Sequence, residues 1–437
     1  MEYDKQKRAI ADYIERGEKD KSNCRLGLEI EHLVLAEDTM AAVSYYEEKG
    51  IGDLLRVLVG QGWQPFYEKD NLLQVMTGAG KVTLEPGGQL ELSLQPLKSL
   101  QVINEQYLSF LEEVIPVLTD WGRALVAVGY QPVTPIEEVA LLPKKRYDYM
   151  YSYFLDRGRY AHNMMMGTAS LQVNLDYCSE KDFRQKNLVA NFLGPLVYII
   201  FDNSPFIAGE PCRDLGLRSL IWDNCDRDRC GFPPGIFQEG FGYEEYAEYI
   251  LNTPPIIIKK GEELIYTGGQ PLCRVFEPEE FNDEELAHIM TMVFPDVRAK
   301  DHLEVRSGDT LPYPYSLAYT AFWKGLFYHQ DNLDQLYEVA KGHTRAEIDG
   351  LKKAIRKKGL GAEIEGRDLL SWFAHLLELA EAGLGQEERR FLQPLHGFLS
   401  RQMNPRQITL ANYRGDIKEA LEWCIIREGK GVEACGS

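Results

Sequence analysis

Acidic side chains set among leucines are the features of this sequence best placed to do chemistry. In Gln89–Leu90–Glu91–Leu92–Ser93–Leu94–Gln95 the leucines point one way, and Gln89, Glu91, Ser93 and Gln95 point the other, the period of a half-buried strand. Pro86–Gly87–Gly88 just before it is turn chemistry. Glu85 sits on the far side of that turn, so two acids are presented near one strand end. Carboxylates flanked by leucines are costly unless something positive meets them.

Three further segments repeat the pattern. Leu26–Gly27–Leu28–Glu29–Ile30–Glu31 places two glutamates on one strand face, with Leu28 and Ile30 on the other. In Leu171–Gln172–Val173–Asn174–Leu175–Asp176–Tyr177 the odd positions are apolar and the even ones polar, and His302–Leu303–Glu304–Val305–Arg306 carries His302, Glu304 and Arg306 on one face. A single segment of this kind is what any surface strand offers. Four of them predict a sheet packed on one face, with a polar comb of Glu, Gln, Asn and Arg on the other. Glu29, Glu31, Glu85, Glu91 and Glu304 then face a common space with few cations on their own segments. Such an excess favours a hard divalent cation with oxygen ligands, Mg²⁺ or Mn²⁺, over zinc, for which no His or Cys ligands stand at short spacing. Phosphates are the usual other half of a magnesium cluster. No G-x-x-x-x-G-K-[ST] loop and no G-x-G-x-x-G after a strand occurs, so a nucleotide would sit in neither a P-loop nor a Rossmann fold.

Seven motifs in register resemble the plant and proteobacterial type of glutamate–cysteine ligase: Gly27–Glu31, Thr83–Ser93, Lys145–Arg146–Tyr147–Asp148, Gln172–Tyr177, Arg218–Ser219–Leu220–Ile221–Trp222, Phe294–Pro295–Asp296–Val297–Arg298 and Leu303–Arg306. The resemblance implies an α+β, glutamine-synthetase-like catalytic fold with a largely antiparallel sheet. It also implies ATP-dependent joining of the glutamate γ-carboxylate to the cysteine amine through a γ-glutamyl phosphate. Phosphorylation supplies the leaving group that a carboxylate lacks, and magnesium offsets the charge that gathers as ATP and carboxylate meet. By motif match Glu29, Glu31, Glu85, Glu91 and Glu304 are the expected metal ligands, and Gln172 a metal-proximal side chain. Arg306 is the expected phosphate-facing cation. Arg218 and Trp222 are expected to hold a substrate carboxylate, by a bidentate fork and by packing, with Thr168, Gln172 and Asn174 on the substrate side.

The chain departs from the family in three places. Gly167 stands where the family often has Arg, and Ile256, after Pro254–Pro255, stands where plant members have Tyr. The hairpin near Thr267–Gly268 is shorter than in plant members and holds only Cys273, so their two-cysteine redox switch is expected to be absent.

The remaining sequence is that of an ordinary soluble enzyme of 437 residues. A net charge of −19 argues against nucleic acid or an anionic membrane as partner. Eight cysteines without a C-x-x-C read as reduced thiols, and Met1 to Asp20 is charged and helix-like. The thiols predict a cytoplasmic protein; the resemblance implies a monomer or homodimer that meets ATP, L-glutamate and L-cysteine. No apolar run approaches the roughly 20 residues of a membrane helix.

Strands and helices mix up to about residue 315, with a helix predicted over Glu180–Ile200. Residues 1–315 are therefore expected to form the catalytic region. Residues 316–437 should be mostly helical and packed on it, with helices over Leu317–His329, Leu333–Lys341, Arg345–Lys358, Arg367–Ala382 and Ile417–Ile426 and a frayed end from Gly429 to Ser437. Lys352, Lys353, Arg356, Lys357 and Lys358 read as a solvated helix face rather than a phosphate site. His32 falls on the leucine side of its strand and reads as a packed histidine, whereas His162 and His302 lie near the motif segments. Arg229 closes an Asp226–Arg229 turn that begins four residues past Trp222, which makes it a candidate for substrate or phosphate. The alternative reading is a ligase joining glutamate or another carboxylate to a different amine on the same fold. A non-catalytic paralogue is disfavoured, because all five glutamates are present.

Overall fold

A computed structural model of the chain describes residues 2–427, so the expected fraying at Gly429–Ser437 lies outside the described residues. Ten antiparallel strands form the central sheet: β1 (Leu26–Ala36), β2 (Gln64–Glu68), β3 (Asn71–Met76), β4 (Gly80–Leu84), β5 (Leu90–Leu94), β6 (Arg123–Val126), β7 (Ser170–Leu175), β8 (Val297–Ala299), β9 (Leu303–Asp309) and β10 (Ile425–Ile426). The order is β8-β9-β7-β1-β5-β4-β3-β2, while β6 lies beside the end of β1 and β10 beside β6. The expected α+β class holds, and all four predicted strands are present.

Strand β1 is long because it serves two partners in turn. Leu26 to His32 run between β7 and β5, and Leu33 to Ala36 pair with β6. Register places Glu31 opposite Glu91, Glu29 opposite Gln172, Thr83 opposite Glu91, and Glu304 opposite Asn174. Because side chains alternate, this pairing gathers the polar positions of five strands onto one face, and a one-residue slip in any strand would turn its acid into the core. Leu28, Ile30, Val82, Leu92 and Val173 fill the other face, all buried. Behind it, helix Leu100–Asp120 is capped by Ser99 and packs on β5 and β6. Its Tyr107 hydroxyl is 2.8 Å from His32 Nε2. His32 is thus the packed histidine expected, and burial lowers its pKa to about 4.

Helix Glu180–Ile200 matches its predicted bounds and is buried on nearly every side. It lies between β9 and helices Gln330–Ala340 and Arg345–Lys358, which is why its sequence is apolar all round rather than along one stripe. After Asp309 the chain is mainly helical, and one hydrophobic core runs from Ile10 to Ile426.

Two expectations for this region are corrected. The helix over Ile417–Ile426 stops at Leu421, and Ile425–Ile426 become β10, covering the free edge of β6. The basic cluster is only half solvated. Lys353, Lys357 and Lys358 are exposed, but Lys352 is buried against Asp223 and Asp296. Among the described residues no helix is long and apolar enough to cross a membrane.

Candidate active site

The turn between β4 and β5 sets the first two acids. Glu85 N donates to Gln89 O and Gly88 N to Glu85 O, closing a tight loop in which Gly88 adopts φ +87°. Gly87 lies so close to helix Ala161–Gly167 that a Cβ there would meet the Met166 carbonyl oxygen at 2.1 Å. Only glycine fits both conformation and space. Gln89 ties the turn down, its Oε1 accepting from Gly87 N and its Nε2 donating to Thr168 O. Tyr147, from helix Lys145–Phe154, donates to Leu84 O and anchors that helix over the same corner.

Between the polar sheet face and these helices lies a cavity of about 340 Å³. Glu29, Glu31, Glu85 and Glu91 line it from the sheet side. Glu31 accepts from Ser170 N at 2.6 Å and from Gln172 Nε2 at 3.0 Å. Glu91 accepts from the Thr83 and Ser93 hydroxyls at 2.7 and 3.1 Å. Among the described residues neither has a cation in ion-pair contact. Burial, then the charge of Glu85, raises Glu31 to about 7. Burial, then Glu29, Glu85 and Glu31, raises Glu91 to about 8. The sheet wall therefore holds more negative charge than its own surroundings compensate.

Cations stand at the other sides. Lys144 and Arg146 enter from the helix Lys145–Phe154 corner, Lys81 from β4, and Arg298, Lys300 and Arg306 from the β8–β9 end. Arg306 donates to Gln172 Oε1 at 3.0 Å, so Gln172 links the cationic end to Glu31. Trp222 also lines the cavity, with the Arg306 guanidinium 5.6 Å from its ring centre. Acids and cations lining one cavity suit a triphosphate and carboxylate substrates held with divalent cations.

A family model for glutamate–cysteine ligase family 2 matches residues 25–422. The chain belongs to glutamate–cysteine ligase family 2. It is 31% identical over 423 residues to the chloroplastic glutamate–cysteine ligase of Arabidopsis thaliana, covering 94% of this chain and 80% of the relative. It is 31% identical over 420 residues to the chloroplastic glutamate–cysteine ligase A of Oryza sativa subsp. indica, covering 93% and 84%. In fold it is similar to the crystal structure of a glutamate–cysteine ligase from Francisella tularensis in complex with AMP, with TM-score 0.57, 13% identity, and 92% and 87% of the two chains covered. The expected cytoplasmic location is corrected, since the plant relatives are named chloroplastic. Thiol usage reports a reducing environment, not an address.

Within this family member, several expected site residues fall elsewhere. Glu304 is not on the cavity wall. It is wholly buried among Arg298 (2.6 Å), Lys300 (2.5 Å) and Arg306. Burial pushes its pKa up, but the three cations outweigh burial and hold it well below the carboxylate range. In this structure Glu304 is the counter-ion of these three cations. Arg218 does not fork onto the cavity. Buried at 1% exposure, it donates to Gly308 O (2.9 Å) and Arg306 O (3.2 Å) and pairs with Asp309. There it braces the irregular stretch between Val305 and Gly308 from which Arg306 projects. Arg229 is likewise enclosed by Asp226, the Met292 carbonyl and the Tyr153 hydroxyl.

Asn174 is off the wall but orients Glu29, donating to its Oε1 at 2.8 Å. Thr168 lines the cavity, although its hydroxyl is committed to Met164 O. His162 stacks on Tyr151, and His302 pairs with Asp301. Ile256 is packed in the core. A Cβ on Gly167 would come 2.6 Å from Ile136 and 2.7 Å from the Tyr130 ring, so no longer side chain fits there. Of the cavity cations, Arg298 and Arg146 sat in quoted motifs without a role, and Lys81, Lys144 and Lys300 gave no signal. Neither the isolated Lys81 and Lys300 nor the short run Lys144–Lys145–Arg146 carries a periodic pattern.

The donor set fits magnesium. Among the described residues no three His, Cys, Asp or Glu side chains converge as a ready-made cage. Mg²⁺ is ordinarily held through one or two carboxylates plus substrate phosphates and waters. Acids side by side on one wall could supply the protein half of such a site.

Proposed function

We propose that this chain is an ATP- and Mg²⁺-dependent glutamate–cysteine ligase, active at the cavity between the polar sheet face and helix Lys145–Phe154. The observation that carries this reading is the presence of Glu29, Glu31, Glu85 and Glu91 with Lys144, Arg146, Arg298 and Arg306 around one cavity, in a chain of this family. The four wall glutamates would hold magnesium, which when bound neutralises phosphate charge. Arg306 and Arg298 would meet the transferring phosphoryl group, as cations aimed at developing negative charge. Glutamate would be phosphorylated on its γ-carboxylate, and the cysteine amine would then displace phosphate. Lys144 and Arg146, which line the cavity, would take over the substrate-carboxylate contact first expected of Arg218 and Arg229, neither of which lines it.

The test is ADP release from ATP with glutamate and a panel of amines. Cysteine should be the best acceptor. Discrimination against 2-aminobutyrate rests on thiol against methyl, so it should react more slowly by about ten- to two-hundred-fold. Amines lacking a carboxylate should fail, because a desolvated cation would be left unpaired. If ammonia or a plain amine served as well as cysteine, the acceptor assignment would fall. The second reading, another amine on the same fold, would replace it; the space at Gly167, filled by Tyr130 and Ile136, is the observation in its favour.

A further inference from the structure

The basic cluster on helix Arg345–Lys358 is only partly a surface feature. Lys352 reaches inward, its side chain 6% exposed, with Nζ 2.7 Å from Asp223 Oδ1 and 3.3 Å from Asp296 Oδ2. The ammonium also lies 5.4 Å from the Tyr198 ring centre and 5.3 Å from that of Phe232. Tyr198 OH is 3.2 Å from Asp296 Oδ1. One turn on, Arg356 pairs with the other oxygen of Asp223 and donates to Ser219 O at 3.3 Å.

Both carboxylates belong to segments that carry the cavity wall. Asp223 directly follows Trp222. Asp296 lies between Phe294 and Arg298, and all three of these neighbours line the cavity. The Asp296 backbone also accepts from Arg306 N at 3.1 Å and donates to Gly231 O at 2.9 Å. Trp222 and Phe294 meet edge to face with ring centres 6.4 Å apart. One buried ammonium therefore clamps together the two strips of backbone that aim Trp222, Arg298 and Arg306.

We propose that Lys352 is a positioning residue for the cavity wall, acting through Asp223 and Asp296 rather than by touching substrate. This rests on the reading of the cavity as the ligase site. A solvated helix face does not account for a buried ammonium. A phosphate site does not either, since two carboxylates already occupy it. Buried ion pairs add little net stability over apolar residues of the same volume, so a clamp of this kind contributes chiefly defined geometry. Burial works against the charge on Lys352, but Asp296 and Asp223 outweigh it and raise its pKa, so the clamp stays charged.

The experiment measures ATP-dependent ligation of glutamate and cysteine, with thermal melts, for five proteins: wild type, Lys352→Arg, Lys352→Met, Lys352→Met with Asp296→Asn, and the exposed control Lys353→Met. Lys352→Met should lower kcat by about ten- to hundred-fold, the scale of small misplacements of reacting groups, and raise KM for glutamate or ATP several-fold. The double variant removes the uncompensated acid, so it should melt close to wild type yet keep the kinetic defect. Lys352→Arg should recover activity to within a few-fold, and Lys353→Met should behave as wild type. A merely structural role would reduce the active fraction and leave KM unmoved. A folded double variant with wild-type kcat and KM overturns the proposal. So does failure of both Met variants to fold, which would make the network a folding element. A wild type without ligase turnover takes down the underlying reading, and this proposal with it.

Discussion

Two buried acidic regions lie at one end and one wall of the same cavity, and their pKa values are shifted in opposite directions. On the wall, Glu31 and Glu91 face one another across β1 and β5, hydrogen-bonded to hydroxyls, an amide and a backbone N–H, with no ion pair among the described residues. At the β8–β9 end, Glu304 is more deeply buried, yet Arg298, Lys300 and Arg306 surround it. Burial raises all three. It wins at Glu91, where the neighbouring charges are negative, and at Glu31, where Glu85 adds to it and Arg218 and Arg306 oppose it only in part; it loses at Glu304, where three cations are in contact. The lesson is that alternation in a strand reveals that an acid is present, while the neighbours across the sheet decide what it is for. An under-compensated pair is poised for a cation from outside; a triply paired glutamate instead organises the protein's own cations.

The sharpest way to break this contrast is Glu304→Gln. Removing the counter-ion leaves three partly buried cations facing one another, and breaking a buried pair in this way costs about 3–5 kcal/mol. Denaturant melts of the metal-free variant should show that loss. Unchanged stability would return Glu304 to the role of a spare metal ligand. Glu91→Gln should do the reverse. Turnover should fall about a hundred-fold, equivalent to about 2.7 kcal/mol of barrier, while metal-free stability holds or rises as one of several repelling acids disappears. Steady-state kinetics with magnesium titration would check it, and near-normal activity removes Glu91 from the metal site.

The two regions should also answer pH with opposite slopes. Glu31 and Glu91 have folded pKa values of about 7 and about 8 against ordinary values of 4.5, so the folded state holds more protons and the metal-free protein loses stability as pH rises through that window. Glu304, depressed, contributes stability above the ordinary carboxylate pKa and loses it only in acid. Urea midpoints with a chelator should therefore be lower at about pH 8.5 than at about pH 6, and added Mg²⁺ with nucleotide should narrow the gap. A flat profile would mean the wall acids are compensated after all. Thr83→Val is the mildest perturbation. It deletes the 2.7 Å hydroxyl bond to Glu91 and should weaken magnesium affinity by about ten-fold, because a hydrogen bond to a charged group has a net worth of about 1.5 kcal/mol at the low end of its range. Calorimetric titration with Mg²⁺ and a non-hydrolysed nucleotide would measure it.

The sequence by itself determined the comb. Strict alternation in β1, β5, β7 and β9 requires one apolar and one polar face, so Glu29, Glu31, Glu91 and Gln172 could be placed together before any pairing was known. It determined the Gly87–Gly88 turn, the helix at Glu180–Ile200, and the packed state of His32 from the parity of its strand position. Tertiary structure alone decided what long cationic side chains do. Arg218 and Arg229 looked free to grip substrate, yet both turned inward to carbonyls and carboxylates supplied by distant segments. Lys352 looked solvated and is enclosed by Asp223 and Asp296. The physical reason is one of range. Alternation is a property of neighbouring residues and is fixed by backbone geometry, whereas an arginine or lysine reaches several ångströms to whichever acid or carbonyl the fold brings near. Only the assembled sheet and its covering helices specify which one that is.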